Sequence, residues 1–579
     1  MKIRTRNICN TLAIPCIYIV ALGWHATSYA QAPTELPAEI YTPTLRMDYT
    51  LALVSEPNLS KPNLDKPNAE ANNAEIKRNN DKLRETNKVT EVSNQPSLKT
   101  TPTSIRMTYE SLSLPAGEKM GMLGGDLLFN VSDNMRLGVG SYGAVRGERG
   151  GFITLGVEGE MQHRLSQNWL SHAGLFVGAG GGRGGYTLSG GGLMLRGDVG
   201  LTYETAGYGN LGFGVSHVRF PSGVITSTQP YINYELPFNT LLSPSWQDKP
   251  LNANNERVDP IQSGQNEFAL VSRYYKIPSS AVRDNGQPQS SSLKLLGVEW
   301  LSYLDDRWFL KVESEGAMGG ENTGYMQILL GGGYRLPLTR STAIKLHTTV
   351  GPAGGGGADT GGGILLDTGI ALQQNLTQHT ALELSVSDVR APSKSFEALS
   401  LGLKLNYQFG LPSVSNQAIS WNALNDFDAQ KMRVRVANQT YFKADPQWRG
   451  VFVDKPVSNL GVQMDYFISP NLFITGQGLA AYAGKAGAYM VGEVGLGTKW
   501  AITDNWFVES EALLGAAGGG GLRVGGGLVA QGNASIGYQI TDSLSILATA
   551  GRMQAIKGDF KANVAGVSLA YQFTGFAAK

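Results

Sequence analysis

Apolar and polar residues alternate with a period of two over most of the chain beyond residue 104. In one segment the apolar residues Met432, Val434 and Val436 alternate with Arg433 and Arg435. This period predicts β-strands that have one apolar face and one polar face. Such strands belong either to an antiparallel sheet with one wet side or to a barrel surrounded by lipid.

The strands belong to a repeated unit. Three markers recur in one register: a Gly-Gly-Gly triplet, an arginine and an aromatic strand end. The triplets begin at Gly190, Gly361 and Gly525, the arginines are Arg219, Arg390 and Arg552, and the strand ends are Phe238, Phe409 and Phe573. Successive copies of each marker are 162 to 171 residues apart. The spacing predicts a triplicated unit of ~165 residues.

Within each unit, short polar turns alternate with glycine-rich reversals, which predicts a series of hairpins. Eight strands per unit follow, or twenty-four in the whole chain. In the second unit we expect strands to start near Phe268, Leu293, Trp308, Met326, Ala343, Ile364, Ala381 and Ala398. The glycine strings are interpreted as strained hairpin tops, since glycine accepts positive φ.

The N-terminus is typical of a secretory signal peptide over residues 1–30. Lys2, Arg4 and Arg6 precede an apolar run, and Ser28-Tyr29-Ala30 places small residues before a cleavage site near Ala30. A short membrane anchor and a lipoprotein modified at Cys16 are the alternatives. Both cysteines, Cys9 and Cys16, lie in this segment, so the mature chain would contain no disulfide or thiol site.

The remaining boundaries follow from composition. Residues 31–103 are rich in Pro, Asn, Lys, Glu and Ser, which predicts a disordered polar segment. The predicted barrel repeats are 104–238, 266–410 and 431–579, joined by linkers at 239–265 and 411–430.

Aromatic residues lie where a membrane interface is expected. They follow the short turns at Trp169, Trp308, Phe309, Trp506 and Phe507, and they end strands at Tyr407, Phe409, Tyr571 and Phe573. With the signal peptide, the even strand number and the C-terminal Tyr-Gln-Phe strand, the chain resembles bacterial outer-membrane β-barrel proteins. The resemblance implies an outer-membrane location, contact with its lipid and folding by the barrel-assembly machinery. The alternative is a secreted soluble β-repeat protein such as an adhesin.

Twenty-four strands can close into barrels in two ways. Each unit ends in its own aromatic strand and the linkers are the longest connections on the turn side, which favours three tandem eight-stranded up-and-down barrels. The interior of such a barrel is just wide enough for side chains to fill. One 24-stranded porin-like barrel is the alternative. An even strand number places the chain ends in the periplasm, where residues 31–103 would meet a periplasmic partner.

Candidate chemistry is sparse. The net charge is +1, so nothing indicates nucleic acid. The histidines have no metal-binding spacing, and the pairs Ser171-His172 and Ser216-His217 match no catalytic motif. The glycine strings lack the lysine of a phosphate loop. We therefore expect no catalytic, metal or cofactor site.

The remaining candidates are charges inside the barrels. The predicted lumen charges are Arg219, Arg390, Arg552, Lys311, Glu313, Glu315, Glu509 and Glu511. Lys311, Arg390 and Arg552 are the candidate partners of the glutamates. For the three repeated arginines, the alternative to lumen pairing is a ring that contacts a ligand or ion at the end with the longer loops. The predicted function is that of a non-enzymatic outer-membrane protein that anchors or shapes the envelope, or that passes a polymer or small solute.

Overall fold

The computed structural model describes residues 24–25, 100–205, 208–242, 246, 263–392, 394–412 and 427–578. The predicted signal peptide (1–30), apart from two residues, and the predicted polar segment (31–103), apart from four, lie outside the described residues. Most of both predicted linkers lies outside them too. The three barrels described below belong to one compact unit, Met1–Tyr29 with Leu98–Lys579. None of the helices in the described residues is long and apolar enough to cross a membrane.

The first barrel closes through antiparallel pairing of its last strand with its first and with the preceding strand. Its strands are β2 Thr100–Ser113, β3 Lys119–Ser132, β4 Met135–Arg146, β5 Ile153–Arg164, β6 Trp169–Gly181, β7 Leu193–Glu204, β8 Asn210–Arg219 and β9 Thr226–Leu241. A two-residue strand, β1 (Trp24–His25), pairs with the end of β9. A 3-10 turn (Pro115–Gly117) and a short helix, α1 (Gly185–Ser189), lie in the loops.

The second and third barrels repeat this antiparallel plan and close on themselves. The second consists of β10 Ser263–Lys276, β11 Ser292–Tyr303, β12 Trp308–Gly320, β13 Met326–Pro337, β14 Thr342–Gly354, β15 Ile364–Asn375, β16 Thr380–Arg390 and β17 Glu397–Pro412. The third consists of β18 Phe427–Lys443, β19 Val457–Ser469, β20 Leu472–Ala483, β21 Met490–Ala501, β22 Trp506–Gly518, β23 Leu528–Gln539, β24 Leu544–Ala555 and β25 Lys561–Ala578.

The prediction of three tandem eight-stranded barrels is confirmed, and the single 24-stranded barrel is excluded. The aromatic strand that ends each repeat pairs with the first strand of the same repeat. Phe238 lies opposite Thr103, Phe409 opposite Asn266, and Phe573 opposite Met432. Within each repeat, the backbone hydrogen-bonding groups of the first and last strands are therefore paired with each other, and no edge strand is left open.

The polar face of each strand lines the barrel interior and the apolar face lies outside. In β17, Leu401, Leu403 and Leu405 are 46%, 49% and 52% exposed. Lys404 and Asn406, which alternate with these leucines, are 2% and 1% exposed. A water-soluble protein reverses this arrangement, because it places apolar side chains in the interior. In this chain the apolar side chains of the strands face outwards and the polar side chains face the interior.

The two ends of each barrel differ. Short turns such as that between β3 and β4 join the strands at one end, which we call the turn side. Longer, glycine-rich connections such as that between β6 and β7 join them at the other, the loop side. On the turn side, tryptophan rings pack on tyrosines of the next strand at centroid distances of 5.1, 5.0 and 5.0 Å in the pairs Trp169–Tyr203, Trp308–Tyr334 and Trp506–Tyr538.

Candidate functional sites in the lumens and between the barrels

The lumen of the second barrel contains a buried network of ion pairs. The Arg273 guanidinium lies 2.6 Å from Glu313, 2.8 Å from Glu315 and 2.6 Å from Asp367. Lys311 lies 3.0 Å from Glu313 and adds a second cation to the same network. Every one of these side chains is at most 3% exposed, so they fill the barrel rather than line a water channel.

Two more lysines complete this lumen towards the turn side. Lys404 lies 2.7 Å from Glu299 and 2.8 Å from Glu383, while Lys345 lies 2.5 Å from Glu267 and 2.9 Å from Glu383. Each lysine thus lies between two carboxylates. Buried charges persist only when they are paired and hydrogen-bonded in this way.

The third barrel holds a more compact network built on two arginines of one strand. Arg433 lies 2.7 Å from Asp465 and 2.6 Å from Glu509. Arg435 lies 2.7 Å from Asp465 and 2.6 Å from Glu511. Asp465 therefore bridges the two guanidinium groups, whose like charges would otherwise repel each other.

The first barrel uses a third arrangement. Arg106 lies 2.5 Å from Glu160 and 3.0 Å from Glu235, and Arg136 lies 2.5 Å and 2.6 Å from the same two glutamates. The four side chains form a closed ring of alternating charge in which each is at most 5% exposed.

The loop side of each lumen is filled by apolar side chains. In the first barrel Phe152 packs on Phe220, with ring centroids 5.6 Å apart, and in the second Tyr325 stacks on Phe396 at 5.7 Å. In the third barrel Trp448 stacks on Phe560 at 6.1 Å. Ion pairs and aromatic clusters together occupy the lumens along the described strands.

The predicted lumen charges divide into two groups. Lys311, Glu313, Glu315, Glu509 and Glu511 lie inside the barrels. The assignment of Arg219, Arg390 and Arg552 to the lumen is wrong, because all three side chains are exposed on the outer surface. Their chain neighbours Val218, Val389 and Met553 are fully buried, and a period of two turns the arginines outwards. Arg390 is 62% exposed and pairs with Asp388.

Lys311, a candidate partner in the sequence, lies 3.0 Å from Glu313. The arginines that pair with the acids, such as Arg273 and Arg435, were missed by the repeat analysis. In the first and third barrels, Arg106 and Arg435 each lie three residues after the residue that pairs with the closing phenylalanine. In the second barrel, Arg273 lies seven residues after the equivalent residue. A charge that changes position between repeats leaves no repeated marker. The available signal was the alternation itself, since Arg433 and Arg435 lie on the polar face of their segment.

In neither serine-histidine pair does the serine hydroxyl bond to the adjacent imidazole. His172 points into the first lumen, where its Nε2 lies 2.6 Å from the Tyr231 hydroxyl and its Nδ1 lies 3.2 Å from Thr202. Ser171 instead donates to the His163 carbonyl. In the described residues, no group of three His, Cys, Asp or Glu side chains is arranged to hold a metal ion.

The Gly-Gly-Gly triplets lie where one barrel contacts the next, and we call them the docking triplets. The Gly150 amide of the first barrel donates to the Gly361 carbonyl of the second at 2.7 Å. The Thr323 hydroxyl of the second barrel donates to the Gly525 carbonyl of the third. The Gly487 amide of the third barrel donates to the Gly190 carbonyl of the first at 3.1 Å.

These three contacts form a ring. In each case the connection between the third and fourth strands of one barrel meets the connection between the fifth and sixth strands of the next. A head-to-tail contact of this kind closes into a cyclic assembly when the rotation is right. The chain is thus an intramolecular trimer with pseudo-threefold symmetry.

The third glycine of each docking triplet allows backbones of two barrels to touch. A Cβ placed on Gly192, Gly363 or Gly527 would lie 2.1, 2.2 or 2.0 Å from a carbonyl oxygen of the neighbouring barrel. Their φ angles are +104°, +103° and +99°, in the region that favours glycine. The docking triplets therefore have two roles. They form hairpin turns, as the sequence predicts, and they also allow neighbouring barrels to approach each other closely.

Other side chains add to the docking. Lys394 of the second barrel lies 3.2 Å from Glu148 of the first. Tyr186 of the first packs on Phe452 of the third with ring centroids 5.0 Å apart.

Trp246, in the predicted linker between the first two barrels, contacts the turn side of the third. Its indole Nε1 donates to the Met432 carbonyl at 2.8 Å, and its ring packs on Phe467 at 4.5 Å. The Lys499 ammonium lies 4.4 Å from the same ring. Trp246 therefore connects the linker between the first two barrels to the third barrel.

The three outer surfaces enclose an apolar space, which we call the central chamber. It has a volume of about 550 Å³ and residues of all three barrels line it, among them Leu123, Leu155, Ile328, Leu330, Val494 and Leu514. Towards the turn side lies a cluster of outward-facing side chains, including Leu127, Phe238 and Trp300, that are 2–3% exposed. Its loop side is bordered by the docking regions at Gly151, Gly324 and Ala488.

The fold defines an all-β protein made of closed, antiparallel up-and-down barrels. No protein-family model matches the chain, and no curated protein matches it either. The structural neighbours include outer-membrane β-barrel proteins and a de novo designed transmembrane β-barrel.

Among solved structures, the chain is similar to a de novo designed transmembrane β-barrel, with 13% identity, a TM-score of 0.18, and coverage of 24% of this chain and 94% of that one. It is similar to the ferric enterobactin receptor PfeA of Pseudomonas aeruginosa, with 9% identity, a TM-score of 0.26, and coverage of 83% and 82%. It is also similar to the siderophore receptor PirA of Acinetobacter baumannii, with 9% identity, a TM-score of 0.25, and coverage of 83% and 81%. Scores this low carry no statement about function.

Proposed function

We propose that this protein is a non-enzymatic, integral outer-membrane protein that anchors and shapes the envelope as a three-barrel scaffold. The observation that carries the proposal is the inverted burial of the strands. Rows of exposed leucines lie outside closed barrels whose charged residues are buried inside. Closed barrels are one of the two structures whose backbone is fully satisfied in lipid.

The filled lumens favour a scaffold over passage of a polymer or solute. A solute crossing the second barrel would have to displace Arg273 and Lys311 from the carboxylates that neutralise them. Breaking such a pair leaves a charge buried without compensation, which is strongly unfavourable. The same exposed leucines disfavour the soluble adhesin, because water would contact large apolar surfaces.

The partners of the proposed scaffold are the outer-membrane lipid and, during folding, the barrel-assembly machinery. The described chain enters the first barrel and leaves the third on the turn side, which we assign to the periplasm. Residues 31–99, which precede β2, would then extend into the periplasm and reach a partner there.

Two measurements on the full chain test the proposal. Carbonate washing of membranes from the expressing bacterium should leave the protein in the pellet, as expected for integral barrels. Reconstitution into planar bilayers should give no steady conductance at the nanosiemens scale. Release by carbonate would support the soluble alternative, and stable large openings would establish a channel.

A further inference from the structure

We propose that the central chamber is a binding site for the acyl chains of a membrane lipid, held on the pseudo-threefold axis. The inference rests on the proposed membrane location. It adds a ligand and a site to the scaffold function.

The walls of the chamber have the chemistry that acyl chains require. Ile328 and Leu330 of the second barrel face it from one side, and Val494 and Leu514 of the third face it from another. Two acids, Glu315 and Glu493, are also part of the lining, but their carboxylates are engaged in hydrogen bonds inside the lumens. Glu315 accepts a hydrogen bond from Arg273 inside the second lumen, and Glu493 accepts one from Gln477 inside the third.

The chamber is a partly open cavity between the three barrels. On its turn side, Trp300 and Leu127 belong to a buried cluster to which side chains of all three barrels contribute. The chamber's volume of about 550 Å³ lies within the range of ~300–1,000 Å³ that is usual for ligand sites.

The glycines of the walls keep this space open. A Cβ on Gly125 of the first barrel or Gly492 of the third would have no atom within 4 Å, although both residues line the chamber. Larger side chains would fit the backbone at both positions, which differs from the crowded docking triplets. Where the docking triplets bring barrels together, these two glycines leave room between them.

Acyl chains are the occupant that the surroundings supply. The chamber wall is a continuation of the outer barrel face, which lipid chains solvate in the membrane. Apolar cavities exclude water and accept apolar ligands. An unfilled chamber would also deprive its wall of dispersion contacts. Phospholipid and lipid A both carry such chains, and their masses distinguish them.

The test measures lipid that co-purifies with the full chain. The protein is extracted in mild detergent, exchanged exhaustively, and analysed by native mass spectrometry and by lipid extraction. We expect the unmodified protein to retain about one lipid per chain, and the double variant Gly125→Leu/Gly492→Leu to retain at least tenfold less. A phospholipid mass or a lipid A mass supports the proposal and identifies the source.

The matched control is the double variant Gly197→Leu/Gly532→Leu. These glycines lie on outer faces of the same two barrels, and a Cβ on either would have its nearest neighbour only at 4.0 Å. They do not line the chamber. The control should retain lipid like the unmodified protein.

The proposal is overturned if the unmodified protein loses all lipid on exchange, or if both double variants retain it equally. Migration as a compact, heat-modifiable band establishes that each variant is folded. If the chamber double variant does not fold, Gly492→Leu alone is compared with Gly532→Leu by the same criterion. A protein that resists carbonate but carries no lipid contradicts this inference alone, whereas release by carbonate contradicts the proposed function.

Discussion

Each of the three repeats contains a lumen and a docking triplet, but the two regions differ in how similar they are from one repeat to the next. The charged residues of the lumens differ between the repeats, whereas the glycines of the docking triplets do not. The first lumen is balanced by Arg106, Arg136 and Arg196, the second mainly by lysines, and the third by Arg433 and Arg435. The docking triplets, by contrast, make equivalent contacts three times, with nearly identical φ angles. The comparison separates two kinds of constraint within one repeat.

The difference has a physical reason. A lumen needs to be filled and electrically neutral, and several placements of acids and bases satisfy that requirement. A docking triplet must let two backbones touch, and only glycine lacks the Cβ that would collide. Interactions of side chains therefore tolerate rearrangement between copies, whereas contact between backbones fixes the residue and its position.

The largest effect is expected from removing a lumen cation. Arg433→Met leaves Asp465 and Glu509 without one of their partners, which should destabilise the protein by about 3–5 kcal/mol. Urea unfolding followed by heat-modifiability measures this change. Arg552→Met is the control, since Arg552 lies on the outer face of the same barrel. Equal stability of the two variants would show that the network is dispensable.

A smaller effect, of a different kind, is expected at a docking triplet. A Cβ on Gly362 would lie 2.7 Å from the Arg146 Cα of the first barrel, so Gly362→Leu should weaken docking by about 1–3 kcal/mol without unfolding either barrel. Distances between spin labels on the first and second barrels should lengthen and broaden. Gly197→Leu, which meets open space, should leave them unchanged. Unaltered distances in Gly362→Leu would refute the docking role.

The smallest effect is expected at the repeated arginines. Arg390→Met removes an exposed pair with Asp388, and surface pairs contribute little. The unfolding midpoint should remain that of the unmodified protein. A clear loss of stability would mean that Arg390 has a partner in the membrane or in another protein, and its repetition would then acquire a functional meaning.

Much of the fold was predictable because strand patterning is local. Three strands of the second barrel begin at the predicted residues Trp308, Met326 and Ile364. The closure into three barrels followed from the aromatic strand that ends each repeat. Arg219 could have been oriented by following the alternation along its whole strand. Phe213 and Val215 lie on the exposed outer face, and a period of two places Arg219 on the same face.

The arrangement of the barrels was not predictable in the same way. Docking depends on the outer faces, where apolar residues that remain exposed and apolar residues that meet another barrel have the same pattern. Trp300, for example, lies in a buried cluster that includes Leu127 and Phe238 of the first barrel. The docking triplets carried the missing signal, since a hairpin needs glycine at one or two positions, whereas these copies repeat three in succession.

Electron cryomicroscopy of the full chain in lipid nanodiscs tests the central claim most directly. Viewed along the membrane normal, the map should show three small closed rings in contact, arranged around a threefold axis with a gap between them. Separate barrels at variable distances, or a single wide ring, would contradict the account.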